Sequence, residues 1–397
     1  MLTASRLRNC GALRQVVGSQ LATTSPSNVN PIRREDRLEL SRPGRFLGVR
    51  ALAAEASDLK SIDWDNLGFG LDNVAESMYI ATCDSSGQWK GEIRPYGPLS
   101  VMPSAQVLNY GQAVFEGMKA QRSAKGQIVL FRPDQNAARM KEGADRLCMP
   151  EIPEEMFIKA VTDTVKANKA YVPPLGKGAL YMRPLLLGSG PILGLGPAPS
   201  FTFVIFCAAV GAYFKGGQLS PIDLIVENQF HRAAPGGMGG TKAAGNYSPV
   251  LKTQLEAKEQ GYADVVYLDA KTDTYLEEVS SCNIFVAKGK TIKTPPLQGT
   301  ILPGVTRKSV IELARSKGYT VLEEDVSAAE AMEADEVFTT GTAVVLSAVG
   351  SLTYKGNRKQ YGEPGTPTPI ALELYKTLTS LQTEHADDEF GWVYPVC

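Results

Sequence analysis

Hydrophobic and polar positions follow two different rhythms along this chain. Short runs in which β-branched and aromatic residues cluster between turn signals predict strands at 78–83, 128–132 and 180–187. Between the first two, Val107, Leu108, Ala113, Val114 and Met118 recur at helical spacing behind Ser104, a residue able to cap a helix. A second helix opens at Pro133-Asp134, carries Arg139 and ends at Met149-Pro150. The nearly apolar run 201–214 is too short to span a bilayer and contains Thr202, so it reads as a buried strand. Beyond it, strands are predicted at 223–227, 264–269 and 283–287, interleaved with helices near 247–260 and 305–317. A further helix is predicted around 369–381.

Two connections stand out between these elements. The segment PILGLGPAP, 191–199, is too rich in Gly and Pro for a helix or a central strand. It reads as an ordered loop presenting two apolar knobs, Leu193 and Leu195. A second glycine-containing connection, 210–221, is where a domain boundary is expected. The expected division is a leader at 1–60, a smaller α/β domain at 62–210, an interdomain loop at 211–220 and a larger domain at 221–397. The fold class is α+β.

The leader differs from the rest in charge. Residues 1–34 contain no Asp or Glu, while Arg6, Arg8, Arg14, Arg33 and Arg34 supply positive charge, the make-up of an organellar transit peptide. Leu2, Leu7 and Leu13 among the first arginines suit the amphipathic helix of mitochondrial import, whereas Val49-Arg50-Ala51 resembles a plastid processing site; the reading leans to the plastid. The whole chain's net charge of −1 gives no nucleic-acid-binding surface, and no segment is a membrane span. Six cysteines without paired spacing and only two histidines argue against a disulfide framework, a metal site or a Ser-His-Asp triad. Proton transfer therefore falls to Lys, Tyr or a carboxylate.

The most informative stretch is HRAAPGGMGGTKAAGNY, 231–247, in which one lysine, Lys242, lies among glycines and alanines. Such a loop brings backbone close to a ligand and surrounds the amine with uncharged groups that favour its nucleophilic form. A surface loop with a solvated lysine remains open, but a nucleotide P-loop does not: Thr241 precedes Lys242 and Ala243 follows it. In ILPGVTRKS, 301–309, a Pro-Gly turn leads into a helix whose first N–H groups suit a phosphate, although alone it is a plain helix start. TTGTAV, 339–344, is a similar and weaker anion signal after a strand-like Glu336-Val337-Phe338. In YLEEVSSCNIF, Glu278 is a candidate inward-facing carboxylate, with a pair of solvated glutamates as the alternative. Arg139, Arg183 and Arg232 lie in apolar or helix-packed segments. An amine, an acid, cations and a helix start together suit pyridoxal 5'-phosphate, which has an aldehyde, a pyridinium nitrogen and a phosphate.

With these residues assembled, the chain resembles the branched-chain amino-acid aminotransferases, class IV (fold type IV) pyridoxal phosphate enzymes, and their plant type in particular. The resemblance spans 64–392 and rests on LNYGQAVFEGMKA, FRPDQNAARM, YMRPLLLGSGPILGLGPAP, HRAAPGGMGGTKAAGNY, YLEEVSSCNIF, ILPGVTRKS and TTGTA in the family's order. It implies a D-amino-acid aminotransferase-like fold, with a small α/β domain and a larger β-barrel-like one. It implies that Lys242 bonds the cofactor aldehyde and shuttles the substrate proton. Glu278 would pair with the ring nitrogen and Tyr247 with the ring's phenolic oxygen. Arg139, Arg232, Val305, Thr306 and Thr342 would hold the phosphate.

For the substrate, the resemblance implies that Tyr181 and the amides of Thr342 and Ala343 hold the α-carboxylate. Phe115 and Tyr110, with Leu193 and Leu195 from a second copy, would wall the branched side chain in a homodimer, and Arg183 would order the site. The implied reaction is reversible transfer of the amino group of Leu, Ile or Val to 2-oxoglutarate. Other fold type IV activities remain as alternatives: a methionine-derived 2-oxo-acid aminotransferase, a D-amino-acid transaminase or an aminodeoxychorismate lyase. A non-catalytic metabolite-binding protein would be expected to lack Lys242 or Glu278, and both are present. Animal members carry a CXXC pair where Val344 and Ser347 stand here, so no thiol switch is expected at that place. Ser281 stands where some relatives have Thr, a mild change.

Overall fold

Two β-sheets carry the fold. The computed structural model describes residues 62–84, 86–212 and 219–397; the expected leader, and 213–218 of the expected interdomain loop, lie outside them. The first half of the chain supplies strands β1 (Ser77–Cys83), β2 (Trp89–Pro95), β3 (Ala113–Phe115), β4 (Met118–Arg122), β5 (Ile128–Phe131), β6 (Ala179–Gly188) and β7 (Phe201–Val210). The second supplies β8 (Ile222–Val226), β9 (Asp264–Leu268), β10 (Leu276–Val279), β11 (Asn283–Lys288) and β12 (Thr291–Thr294). It continues with β13 (Thr320–Glu323), β14 (Glu336–Gly341), β15 (Val345–Tyr354), β16 (Asn357–Gln360) and β17 (Val393–Pro395). Helices are α1 (Gln106–Tyr110), α2 (Pro133–Arg146), α3 (Glu154–Ala167), α4 (Leu251–Glu259), α5 (Val305–Ser316), α6 (Ala328–Met332) and α7 (Pro369–Gln382).

The first sheet has eight strands in the order β17-β5-β4-β6-β7-β1-β2, with β3 also paired to β6. Its last-made strand, β17, pairs antiparallel with β5, so this sheet draws on chain beyond 62–210. The second sheet runs β10-β9-β8-β15-β14-β11-β12-β13, with β16 on β15. A further pairing, Glu278 with Asn283, joins β10 to β11 and closes six of these strands into a barrel.

Apolar side chains account for the layers. On α3, the buried residues Phe157, Ala160, Val161, Thr164 and Val165 repeat at helical spacing and pack on the first sheet, with the Phe157 and Phe203 rings 6.1 Å apart. On the barrel's outer face, Val310 and Leu313 of α5 and Leu374 and Leu378 of α7 cover the stacked Phe285 and Phe338 rings, 5.0 Å apart. A separate cluster including Val266, Ile284, Val337 and Val349 packs between the barrel strands and α6.

The structure departs from the sequence reading in several elements. The helix expected across 104–118 ends after one turn, because Gly111 adopts φ 70° and donates its N–H back to Val107 O. Ser104 does not cap it: Ala105 holds that position, without a side-chain cap. Ala113–Phe115 and Met118–Arg122 are strands of the first sheet, separated by Gly117, where a Cβ would overlap the Tyr181 hydroxyl. Helix α3 has no counterpart among the expected elements, nor has the ten-residue β15 at the barrel's centre. The helix expected from 247 begins at Leu251, after a 3-10 turn at Ala244–Asn246.

Candidate active site

Backbone contacts fix the glycine-rich loop before any side chain acts. Phe115 N donates to Lys242 O at 3.1 Å, and Val114 bridges to Ala243, so β3 holds the lysine from one side. From the other, Gly240 N donates to Gly299 O, and Gly239 lies so close to Thr300 O that a Cβ there would overlap it. Asn246 ties the loop internally through Nδ2, which donates to Met238 O at 2.7 Å and to Thr241 O at 2.9 Å.

Within this frame Lys242 Nζ donates to the Tyr247 hydroxyl at 3.1 Å and lies 4.6 Å from the Phe115 ring centroid. Burial, reinforced by the charge of Arg139, draws its amine down from 10.5 to about 8. Burial pushes the Tyr247 phenol up to about 12. The desolvated reading of Lys242 therefore prevails over a solvated surface lysine.

Glu278 stands at the barrel's closing pair and is 2% exposed, with Glu277 buried beside it, so the solvated alternative is set aside. Its Oε1 accepts from Arg232 Nη1 at 2.5 Å and from Leu302 N at 3.1 Å. Burial still outweighs the pull of Arg232 and raises the carboxyl to about 7. Arg232 Nε also donates to Ser280 O at 3.3 Å. Asn283 Nδ2 donates to Leu302 O at 2.9 Å, so both members of the closing pair grip the turn that leads into α5.

Arg139 projects from α2 into a buried ion pair. Its Nε and Nη2 donate to the two oxygens of Glu116 at 2.8 and 2.7 Å, while Nη1 donates to Pro303 O at 3.0 Å. Burial alone would lower the guanidinium; Glu116 more than reverses that and raises it. Val305 and Thr306 begin α5 just beyond Pro303, where the first N–H groups of a helix have no intrahelical acceptor.

A cavity of about 450 Å³ opens beside Lys242, walled by Phe115, Tyr181, Arg183, Tyr247 and the turn that holds Thr342 and Ala343. The Arg183 guanidinium lies 4.9 Å from the Phe115 ring and 5.7 Å from the Tyr181 ring. Its Nε has no hydrogen-bond partner among the described residues. Arg139, Arg232, Glu278, Val305 and Thr306 do not line this cavity; Arg232 lies 5.8 Å from the ring of Tyr247, which does.

Three further expected site residues also stand apart from that cavity. Tyr110, expected beside Phe115, instead donates its hydroxyl to Leu193 O at 2.8 Å. Leu193 and Leu195 are 91% and 85% exposed. Tyr110 therefore belongs with the two apolar knobs. Sequence reasoning also missed Glu116, Lys119 and Asn283. Glu116 alone left a signal, an acid set in the apolar run AVFEGM, where burial requires a cation.

Comparison with known proteins agrees with this arrangement. A family model described as amino-transferase class IV matches residues 113–352. The chloroplastic branched-chain-amino-acid aminotransferase 5 of Arabidopsis thaliana is 51% identical, over 98% of this chain and 93% of its own. The chloroplastic branched-chain-amino-acid aminotransferase 3 of the same plant is 56% identical, over 85% of this chain and 81% of its own. Among solved structures, a T.th. branched-chain amino acid aminotransferase with pyridoxamine 5'-phosphate superposes with TM-score 0.70 at 26% identity, covering 81% of this chain and 99% of that one.

Proposed function

We infer the reaction and its machinery from one premise: the chain belongs to the amino-transferase class IV family. It is a branched-chain aminotransferase, moving the amino group of leucine, isoleucine or valine to 2-oxoglutarate and back. The observation that carries the residue assignments is the Lys242 amine, drawn down to about 8 and donating to Tyr247 at 3.1 Å within a walled cavity.

The donor set fits pyridoxal 5'-phosphate. A desolvated amine suits its aldehyde, a buried acid its ring nitrogen, and cations with a helix start its phosphate. When bound, this group supplies an aldehyde that exchanges amines and a ring that takes up the electron pair left at the substrate Cα. Lys242 removes the Cα proton as a free amine and returns it on the far side of the transfer. Glu278, buried and acidic, would pair with the ring nitrogen and favour its protonated form. Tyr247 donates to the phenolic oxygen. Arg139, Arg232, the amides of Val305 and Thr306 and the Thr342 hydroxyl would hold the phosphate.

For the substrate, the Tyr181 hydroxyl and the Thr342 and Ala343 amides receive the α-carboxylate, and Phe115 packs on the branched side chain. Arg183, with no acceptor for its Nε, orders the cavity and offers a cation to the second carboxylate of 2-oxoglutarate. Leu193 and Leu195, almost wholly exposed, reach the cavity of a second copy in a homodimer, and Tyr110 travels with them. The proposed domain division is 62–210 and 221–397, with β17 returning to the smaller domain. The acid-free residues 1–34 and the two chloroplastic relatives support residence in the chloroplast.

The test is the visible spectrum of the purified protein carrying its cofactor, with leucine and then 2-oxoglutarate, beside Lys242→Ala. A band that leucine bleaches and 2-oxoglutarate restores is expected, with turnover about 100- to 10,000-fold lower in the variant. A protein that stays colourless with added pyridoxal phosphate would overturn the cofactor assignment. A coloured protein indifferent to leucine would point to the D-amino-acid or lyase alternative.

A further inference from the structure

Lys119 has no part in the assignments above, yet its amine is tied to the turn that walls the cavity. Its Nζ donates to Ala343 O at 2.6 Å across 224 residues of sequence. No carboxylate partners it among the described residues, and burial draws its amine down to about 8. A desolvated ammonium bound only to a backbone carbonyl is a costly arrangement, and what it holds is informative.

The carbonyl belongs to a hairpin loop. Gly341 pairs with Val345 between β14 and β15, leaving Thr342, Ala343 and Val344 as the loop. Val345 sits at φ 62°, a left-handed conformation that β-branched residues disfavour. Leu346 N reaches back to Val344 O at 2.8 Å. Behind the loop lies a second cavity, about 250 Å³, whose lining includes Lys119, Arg122, Ala343, Val344 and Tyr375. Packing on that side is therefore open. Among the described residues Lys119 is the sole donor to Ala343 O.

Register adds a second link. Lys119 on β4 stands directly opposite Tyr181 on β6, so one strand pair presents both side chains on the same face. We propose that Lys119 is a positioning residue for carboxylate recognition: its ammonium holds the Ala343–Val344 peptide so that the Thr342 and Ala343 amides face the cavity beside the Tyr181 hydroxyl. This rests on the carboxylate assignment made under the proposed function.

The experiment uses the holoenzyme and its Lys119→Met and Lys119→Arg variants. The probe is 4-methylvalerate, which has leucine's carbon skeleton without the amine and so reports carboxylate binding apart from chemistry. In Lys119→Met its dissociation constant, by titration of the visible band, and the KM values for leucine and 2-oxoglutarate rise together by about 10- to 100-fold, the effect of losing one hydrogen bond to a charged group. The expected kcat stays within about 3-fold, with Tm and cofactor content unchanged. Lys119→Arg recovers part of the affinity. An unchanged 4-methylvalerate constant in Lys119→Met overturns the proposal. So does a joint fall of Tm, cofactor content and kcat that arginine does not mend, which would make Lys119 structural. A wild type that neither transaminates leucine nor binds 4-methylvalerate overturns the functional reading instead, and this one with it.

Discussion

Lys242 is held with its amine lowered by burial, at a cost to the folded chain. Its amine falls from 10.5 to about 8, so below about pH 8 folded and unfolded chains both carry the proton and the folded state bears the full desolvation cost. Between about 8 and 10.5 the folded protein has released a proton that the unfolded chain keeps, and stability rises with pH; above that range the cost is gone. Cofactor-free Lys242→Met should therefore melt above the cofactor-free wild type at pH 7, with the gap closing as pH passes from about 8 towards 10.5. Calorimetry across that range checks it, and a gap independent of pH would refute it. Lys242 and Glu278 stood out in the sequence because each sits in a short local pattern of glycines or apolar neighbours. Glu116 showed itself as a buried acid without showing its partner, and Lys119 left no signal. Glu116 is 23 residues from Arg139 and Lys119 is 224 from Ala343, and only the assembled sheets bring them together.

At the level of elements, local rhythm served well where one period held throughout. Helices α2, α5 and α7 and strands β5, β6 and β7 fall close to where their patterns place them. The region 104–118 misled because helical spacing there is carried across Gly111, whose left-handed backbone ends α1 and hands the chain to β3. Helix α3 was legible and overlooked: its buried positions follow helical spacing just after Pro150 and Pro153. That face matters to the first sheet. Phe157 is fully buried against Phe203, and Phe157→Ala should destabilise the protein by about 3–5 kcal/mol. Urea unfolding measures it; a loss under about 1 kcal/mol would mean the sheet closes over the gap.

For the whole molecule, the proposed homodimer draws its support from two exposed leucines in a Gly-Pro loop. Leu193→Glu should shift the protein from dimer to monomer in sedimentation and lower activity with leucine by at least about 10-fold, since a charge cannot be buried in an apolar wall. A dimer of normal activity would refute the assignment. Assembly of the single chain follows from another feature. Strand β17 completes the edge of a sheet whose other members were synthesised long before it, and Trp392 just ahead of it lies 4.7 Å from the Arg132 guanidinium. The growing polypeptide cannot finish its first layer as it leaves the ribosome, but must hold an unsealed strand edge until Val393–Pro395 emerges. Until then that open edge can pair with a strand of another chain, so the interval before β17 docks is when the nascent protein is most exposed to aggregation.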